Sequence, residues 1–200
     1  MPSALSYCLQ SCLKMHRSDA IKAIMKQVKD EIVVSNIGDP SKEVYHTNDR
    51  PKNFYMLGSL GLASSISLGL ALSQREKVIC MDGDGSLLAN LGSLATIANQ
   101  NPENLIIIAL DNGSYGTTGN QRTYTSDLTD LEKVAKSCGI KNTYKIRDEK
   151  ELFNILNKCL DNHILSFIHV IIEPNSPRME KIPLEPTIIK SRFMKSLKHC

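Results

Sequence analysis

Short apolar runs alternate with stretches of helical periodicity along most of this chain. The runs that predict strands are mostly apolar and end at polar or glycine-containing turns. They are, in order, 32–34, 53–57, 78–81, 104–111, 143–146 and 165–172. The stretches with apolar residues at helical spacing are 17–28, 62–72, 87–98, 128–137, 149–160 and 188–197. Because helices separate the strands, we predict an α/β fold with a doubly wound, mostly parallel sheet and helices on both faces.

The length and composition suit one domain. A chain of 200 residues with 42% apolar content can bury one core and leaves little room for a second. We therefore expect a single domain over 17–200, preceded by an extension over 1–16 that need not be ordered. No lysine or arginine precedes the apolar patch 4–13, so a signal peptide is not expected.

The net charge and the cysteine spacing argue against several classes of protein. The net charge is +3, spread along the chain, which indicates neither a nucleic-acid stripe nor a polybasic membrane patch. No apolar stretch reaches the length that spans a bilayer. The six cysteines lack paired spacing, which favours free thiols in a reducing cytoplasm. Cys8 and Cys12 lie one helical turn apart, but a metal site would need further ligands elsewhere.

The central unit of the pattern is a strand, a glycine-rich turn and a helix. The run 78–81 stops at Gly83-Asp84-Gly85-Ser86, and helical spacing follows. Glycines allow a sharp turn, and the unpaired N–H groups of the first helical turn attract phosphate. Asp84 would repel a bare phosphate, so a divalent cation between them makes the arrangement favourable. The alternative is an ordinary Asp-Gly turn, which is common after strands.

A second polar turn strengthens the metal-diphosphate interpretation. The strand predicted over 104–111 ends at Asn112, which follows Asp84 by 28 residues. A strand-helix-strand crossover takes about 30 residues, so neighbouring parallel strands would bring both side chains to one edge of the sheet. A carboxylate, an amide oxygen and a loop carbonyl are ligands that Mg²⁺ accepts when phosphate oxygens complete its shell.

These two turns resemble the thiamin diphosphate motif of the 2-oxoacid decarboxylases and related enzymes. The resemblance implies Mg²⁺ ligands at Asp84, at Asn112 and at the carbonyl of Ser114. It also implies that Gly85 and Ser86 donate to the diphosphate. The full set of cofactor contacts that it implies is Gly38, Gly58, Ser59, Leu60, Gly83, Asp84, Gly85, Ser86, Asn112, Ser114, Tyr115 and Gly116.

Two upstream segments extend the resemblance. The segment 55–61 resembles the one that holds the aminopyrimidine ring, which implies that the Gly58 carbonyl accepts from the amino group and that Leu60 forces the bent cofactor conformation. The turn 36–41 would lie beside the diphosphate and would bring Ile37 and Gly38 near it. An equally simple interpretation is that Asp39 caps a helix that begins at Pro40.

The family's catalytic glutamate has no counterpart in this chain. It faces the aminopyrimidine from a separate domain, and the contexts of Glu43, Glu76 and Glu103 do not match it. The resemblance therefore implies only the pyrophosphate-binding half, with a partner (an alpha, pyrimidine-binding subunit) supplying that glutamate in a hetero-oligomer. No residue of this chain is assigned as catalytic.

The resemblance extends over most of the chain from about residue 17 and is strongest to the beta subunits of sulfopyruvate decarboxylases, with phosphonopyruvate decarboxylases next. It implies conversion of sulfopyruvate to sulfoacetaldehyde and CO₂ in coenzyme M biosynthesis.

The long polar loop 113–125 is expected to be a functional lid, in which Arg122 either meets the substrate's sulfonate or is a solvated charge. The alternatives are a phosphonopyruvate decarboxylase, a subunit of another 2-oxoacid decarboxylase or ferredoxin oxidoreductase, and a non-catalytic cofactor-binding module.

Overall fold

The computed structural model describes residues 15–174 and 179–197. The strands are β1 (Ile32–Ser35), β2 (Asn53–Tyr55), β3 (Val78–Gly83), β4 (Leu105–Asp111), β5 (Ser114–Tyr115), β6 (Gln121–Arg122), β7 (Asn142–Ile146) and β8 (Ser166–Ile171). The α-helices are α1 (Arg17–Met25), α2 (Asp39–Thr47), α3 (Ala63–Ser73), α4 (Asp84–Ala89), α5 (Gly92–Gln100), α6 (Leu131–Ser137), α7 (Glu149–Asp161) and α8 (Pro186–Ser196). A short 3₁₀ helix covers Tyr124–Ser126.

Six of these strands form one parallel sheet, in the order β2-β1-β3-β4-β8-β7. The central strands are buried on both faces, since β4 is aliphatic apart from Asp111 and β3 is apolar from Val78 to Met81. Successive side chains of β3 point to opposite faces, so Ile79 joins the core beside α1 and α7, whereas Cys80 joins the core beside α3 and α5. The prediction of a doubly wound sheet with helices on both faces is confirmed.

The strand order reverses between β1 and β3. The chain moves outward in one direction from β1 to β2 and in the other direction from β3 to β4 and β8. At such a reversal the loops after the two strands diverge and leave a crevice at their carboxyl ends. The turns after β1, β3 and β4 all open toward this crevice, which makes it the place to look for a ligand site.

The helix predicted over 87–98 is in fact two helices, and this prediction was wrong. The chain leaves helical geometry at Asn90, between α4 and α5. Its side-chain amide donates to the Gly61 carbonyl at 2.8 Å and contacts Ser65. The helix is therefore interrupted at Asn90, whose side chain instead hydrogen-bonds to the loop that follows β2.

One other local prediction needs correction. Asp39 does not cap α2, because the cap position belongs to Gly38, whose φ of 82° favours glycine. Asp39 is the first helical residue and forms ion pairs with Lys42 and Arg17. The long polar loop that was predicted to be a lid contains the β5–β6 hairpin and leads into the 3₁₀ helix.

The ends of the chain are described only in part. The predicted extension over 1–16 lies mostly outside the described residues, as do Cys8 and Cys12, but Met15 is buried and its carbonyl accepts from the Glu173 amide. Cys80 is a buried free thiol in β3, as its apolar surroundings predict. Among the helices in residues 15–174 and 179–197, none combines the length and the apolar character needed to cross a bilayer.

Candidate cofactor site

A cavity of about 160 Å³ opens at the crevice between the carboxyl ends of β1, β3 and β4. The segments that follow these strands, Leu60 from the loop after β2 and the first residue of α1 form its wall. The residues that line it are Arg17, Asn36, Ile37, Pro40, Leu60, Gly83, Asp84, Gly85, Ser86, Leu110, Asn112, Ser114, Tyr115, Gly116, Thr117 and Thr118. The fold thus brings Asp84 and Asn112 to one cavity, as the 28-residue interval between them predicts.

Asp84 lies at the start of α4, directly after β3, and is 3% exposed. One oxygen, Oδ2, accepts from the hydroxyl of Thr123 at 2.5 Å and from that of Thr125 at 3.2 Å. Burial is the main cause that raises the pKa of Asp84 to about 6, and the nearby charge of Asp111 adds to it. A cation beside this carboxylate would offset both effects, so the electrostatics of the position suit a metal ligand.

Asp111, the last residue of β4, has a different set of neighbours. Its Oδ2 lies 2.7 Å from Nε2 of His169, and its Oδ1 accepts from the Thr125 hydroxyl and the Gly113 amide. Although burial alone would raise the pKa of Asp111, these hydrogen bonds hold it below its ordinary value. On its other side, His169 lies 3.6 Å from Asp130, the residue that caps α6.

The turn that carries Asn112 is fixed by hydrogen bonds. The Asp111 carboxylate binds the Gly113 amide at 2.9 Å, and the Asn112 side-chain oxygen accepts from the Ser114 amide at 3.1 Å. Gly113 has a φ of 66°, which a residue with a side chain adopts only at a cost. The structure therefore orients Asn112 and the backbone of Ser114 through local contacts.

At two glycines the backbone packs closely against side chains of the loop 114–118. A Cβ at Gly85 would lie 2.2 Å from the Tyr115 ring, and a Cβ at Gly38 would lie 2.7 Å from the Thr117 hydroxyl. Within the described residues, no three His, Cys, Asp or Glu side chains meet in a way that could hold a metal. A cation at Asp84 would therefore need amide, carbonyl and ligand oxygens. This oxygen set, beside the backbone of Gly85 and Ser86 in the cavity lining, fits a divalent cation that carries a diphosphate.

Several residues implied by the resemblance lie outside the cavity lining. Gly58 and Ser59 lie in the loop after β2 and Gly38 lies in the turn after β1, and Ser59 has a φ of 64°. The loop 58–61 is tied to α4 because the Gly61 amide donates to the Ser86 hydroxyl at 3.0 Å. Leu60 from this loop does line the cavity and is 46% exposed.

Arg122 also lies outside the lining. Its guanidinium pairs with Asp127 at 2.8 Å and donates to the hydroxyl and the carbonyl of Ser126. The side chain is 69% exposed. A contact between Arg122 and a substrate anion stays a prediction, which would require the hairpin β5–β6 to rearrange.

Sequence reasoning missed Arg17, His169 and the two threonines that bind Asp84. The sequence pattern predicts only that Arg17 begins a helix and that His169 lies in a buried strand. Their importance arises from tertiary contacts across 26 to 58 residues, namely Arg17 with Glu43 and His169 with Asp111. Thr123 precedes the 3₁₀ helix Tyr124–Ser126 and Thr125 lies within it, and no periodicity of the sequence singles out these two hydroxyls.

Comparison with known proteins agrees with this geometry. The family model "Thiamine pyrophosphate enzyme, C-terminal TPP binding domain" matches residues 25–170. The chain is 51% identical to "Sulfopyruvate decarboxylase subunit beta" of Methanocaldococcus jannaschii, and the match covers 91% of this chain and 97% of that one. It is 48% identical to "Sulfopyruvate decarboxylase" of Methanosarcina acetivorans, where the match covers 92% of this chain and 47% of the other.

A solved structure supports the fold at low sequence identity. Benzoylformate decarboxylase from Polynucleobacter necessarius superposes with a TM-score of 0.67 at 18% identity, over 85% of this chain and 35% of that one. The fold resemblance and the family match agree on the same domain type. The chain therefore belongs to the thiamine pyrophosphate enzymes and, within them, to the family of the sulfopyruvate decarboxylase beta subunits.

Proposed function

We propose that this chain is the beta subunit of a cytoplasmic sulfopyruvate decarboxylase, which converts 3-sulfopyruvate to sulfoacetaldehyde and CO₂ in coenzyme M biosynthesis. One observation carries the proposal: Asp84 and Asn112 lie in a single cavity, which Gly85 and the loop 114–116 also line. The family to which the chain belongs supports the choice of substrate.

The residues of the cavity divide into two tasks. Asp84, Asn112 and the carbonyl of Ser114 would hold Mg²⁺, and the backbone at Gly85 and Ser86 would donate to the diphosphate. Thiamin diphosphate, when bound, supplies the carbanion and electron-sink chemistry of decarboxylation. The contribution of this chain is to bind the charged end of the cofactor, to hold its orientation through Leu60 and to exclude water from the buried carboxylate of Asp84.

A partner subunit completes the active site in this proposal. Among the described residues, no glutamate lines the cavity, and Glu43 is bound to Arg17 behind its wall. The catalytic glutamate that faces the aminopyrimidine would come from an alpha, pyrimidine-binding subunit. The match to about half of the Methanosarcina acetivorans protein supports this division, since the remaining half of that chain is long enough for a second domain.

The test is an activity assay on the purified complex of this chain and an alpha subunit, with Mg²⁺ and thiamin diphosphate. We expect CO₂ release from sulfopyruvate to exceed release from phosphonopyruvate and pyruvate, and we expect each subunit alone to be inactive. Equal rates on pyruvate would contradict the substrate assignment. A faster rate on phosphonopyruvate would favour the phosphonate enzyme instead.

A further inference from the structure

Arg17 is the one lysine or arginine among the residues that line the cavity. It is the first residue of α1 and only 8% exposed, although it carries a permanent charge. A buried guanidinium requires hydrogen-bond acceptors for its N–H groups. The contacts of each nitrogen show which acceptors it has.

Two of the three guanidinium nitrogens are used by the protein. Nε donates to Oε2 of Glu43 at 2.9 Å, and Nη2 donates to Oε1 of the same carboxylate at 3.0 Å. Nη2 also lies 3.5 Å from the Asp39 carboxylate. The fork therefore fixes the plane of the guanidinium and determines where the third nitrogen points.

The third nitrogen, Nη1, faces the cavity. It lies 4.0 Å from the position that a Cβ would occupy at Gly116, a residue that also lines the cavity. No hydrogen bond joins Nη1 to any of the described residues. A donor with two N–H groups is thus held in place beside the loop that follows Asn112, where it can bind an anionic oxygen.

We propose that Arg17 binds the outer phosphate of the cofactor's diphosphate through Nη1. This inference rests on the proposed function, because it needs a diphosphate in the cavity. Mg²⁺ with Asp84 leaves the diphosphate negatively charged, and Arg17 supplies the donor on the side of Gly116. Because Glu43 already fixes the guanidinium, binding would cost little side-chain entropy.

The geometry distinguishes arginine from lysine at this position. A guanidinium can bind Glu43 with one edge and an anion with the remaining nitrogen, whereas an ammonium is a single point charge without a fixed fork. Arg17→Lys should therefore keep the charge and lose part of the binding. The pair also explains why Glu43 is buried: it positions the group that meets the ligand.

The experiment measures binding by calorimetry in the complete alpha–beta complex, with saturating Mg²⁺ and no substrate. The probes are thiamin diphosphate and thiamin monophosphate, which lacks the outer phosphate. The variant Arg17→Gln/Glu43→Gln removes both charges together, so neither is left buried without its partner. Arg192→Gln is the matched control, because Arg192 forms a similar two-bond pair with Asp49 outside the cavity.

We expect the double variant to bind thiamin diphosphate about 10- to 100-fold more weakly, as the loss of a charged hydrogen bond predicts. Its affinity for the monophosphate should change less than about threefold, and Arg17→Lys should fall between the double variant and the wild type. Arg192→Gln should bind both probes as the wild type does. Thermal unfolding of each variant checks that the fold is retained.

Three results would overturn the inference while leaving the proposed function intact. They are unchanged diphosphate affinity in the double variant, an equal loss for both probes, and a raised KM for sulfopyruvate with unchanged cofactor affinity. The last result would assign Arg17 to the substrate's anion. Failure of the wild-type complex to bind thiamin diphosphate would instead refute the proposed function, and this inference with it.

Discussion

The turns after β3 and β4 each begin with a buried aspartate, and their surroundings move the two pKa values in opposite directions. Burial raises the pKa of Asp84 to about 6. Burial acts in the same direction on Asp111, but hydrogen bonds from His169, Thr125 and the Gly113 amide outweigh it and lower that pKa. The two carboxylates belong to neighbouring strands, so the difference comes from their partners and not from their depth.

The difference indicates a division of labour. Asp84 accepts from the Thr123 and Thr125 hydroxyls and the Gly85 amide, all of them neutral donors, so a cation would stabilise its charge. Asp111 already has the imidazole of His169 and uses its second oxygen to hold the turn that carries Asn112. One aspartate is suited to bind the metal, whereas the other positions a ligand beside it.

The largest expected effect is at Asp84. Asp84→Asn keeps the shape and an oxygen for Thr123 and Thr125 but removes the negative charge. Mutating a residue that hydrogen-bonds to a metal ligand typically lowers metal affinity by about 10- to 100-fold. Loss of a ligand itself should therefore lower Mg²⁺-dependent cofactor binding by at least about 100-fold. A calorimetric titration of thiamin diphosphate at several Mg²⁺ concentrations measures the loss.

The fold should survive this change. We expect the unfolding midpoint of Asp84→Asn without metal to equal that of the wild type within a few degrees, because the threonine contacts persist. Asp161→Asn, an exposed position at the end of α7, controls for the loss of one charge. Normal Mg²⁺-dependent binding in Asp84→Asn would show that the carboxylate is not a ligand, and the contrast with Asp111 would lose its meaning.

A smaller effect is expected at His169, which tests the other half of the contrast. His169→Leu leaves Asp111 buried without its imidazole partner. Removing the hydrogen-bond partner of a buried carboxylate costs about 1–3 kcal/mol of unfolding free energy. If Asp111 positions Asn112, the Mg²⁺ concentration that half-saturates cofactor binding should also rise by about 10- to 100-fold. Urea unfolding and a Mg²⁺ titration measure the two quantities separately.

Ser166→Ala is the matched control for His169. Ser166 is buried on the same strand, β8, but at its amino end, where its hydroxyl contacts Asn142. This variant should lose stability without a change in the Mg²⁺ requirement. The same pattern in His169→Leu would mean that the Asp111–His169 pair supports only the sheet.

The sequence predicts the parts of the molecule that depend on spacing along the chain. The alternation of strands and helices predicts the parallel sheet, and the interval from Asp84 to Asn112 predicts that both reach one edge. Both rest on local periodicity and on the fixed geometry of a crossover connection. In the β3–β4 register Gly83 pairs with Leu110, so Asp84 and Asn112 both follow the paired ends of neighbouring strands.

The parts that the sequence does not predict depend on long-range side-chain contacts. Apolar spacing continues through Asn90, so it conceals the break that the bond to Gly61 produces. Arg122 attracts attention as the one cation of a polar loop, but its charge is satisfied by Asp127. Arg17 lies in the cavity because α1 packs on α2, a contact that composition and periodicity do not encode.

The smallest expected effect is at Ser114 and separates a backbone ligand from a side-chain ligand. The Ser114 hydroxyl is buried and has no hydrogen-bond partner among the described residues, and the proposed ligand is the Ser114 carbonyl. Ser114→Ala removes only the hydroxyl, so stability should change by less than about 0.5 kcal/mol and cofactor binding by less than about twofold. Ser86→Ala gives the contrast, because it leaves the buried Gly61 amide without an acceptor and should cost about 1–3 kcal/mol. A large loss of Mg²⁺ affinity in Ser114→Ala would assign the ligand to the hydroxyl, and the turn after β4 would then contribute two side chains to the metal.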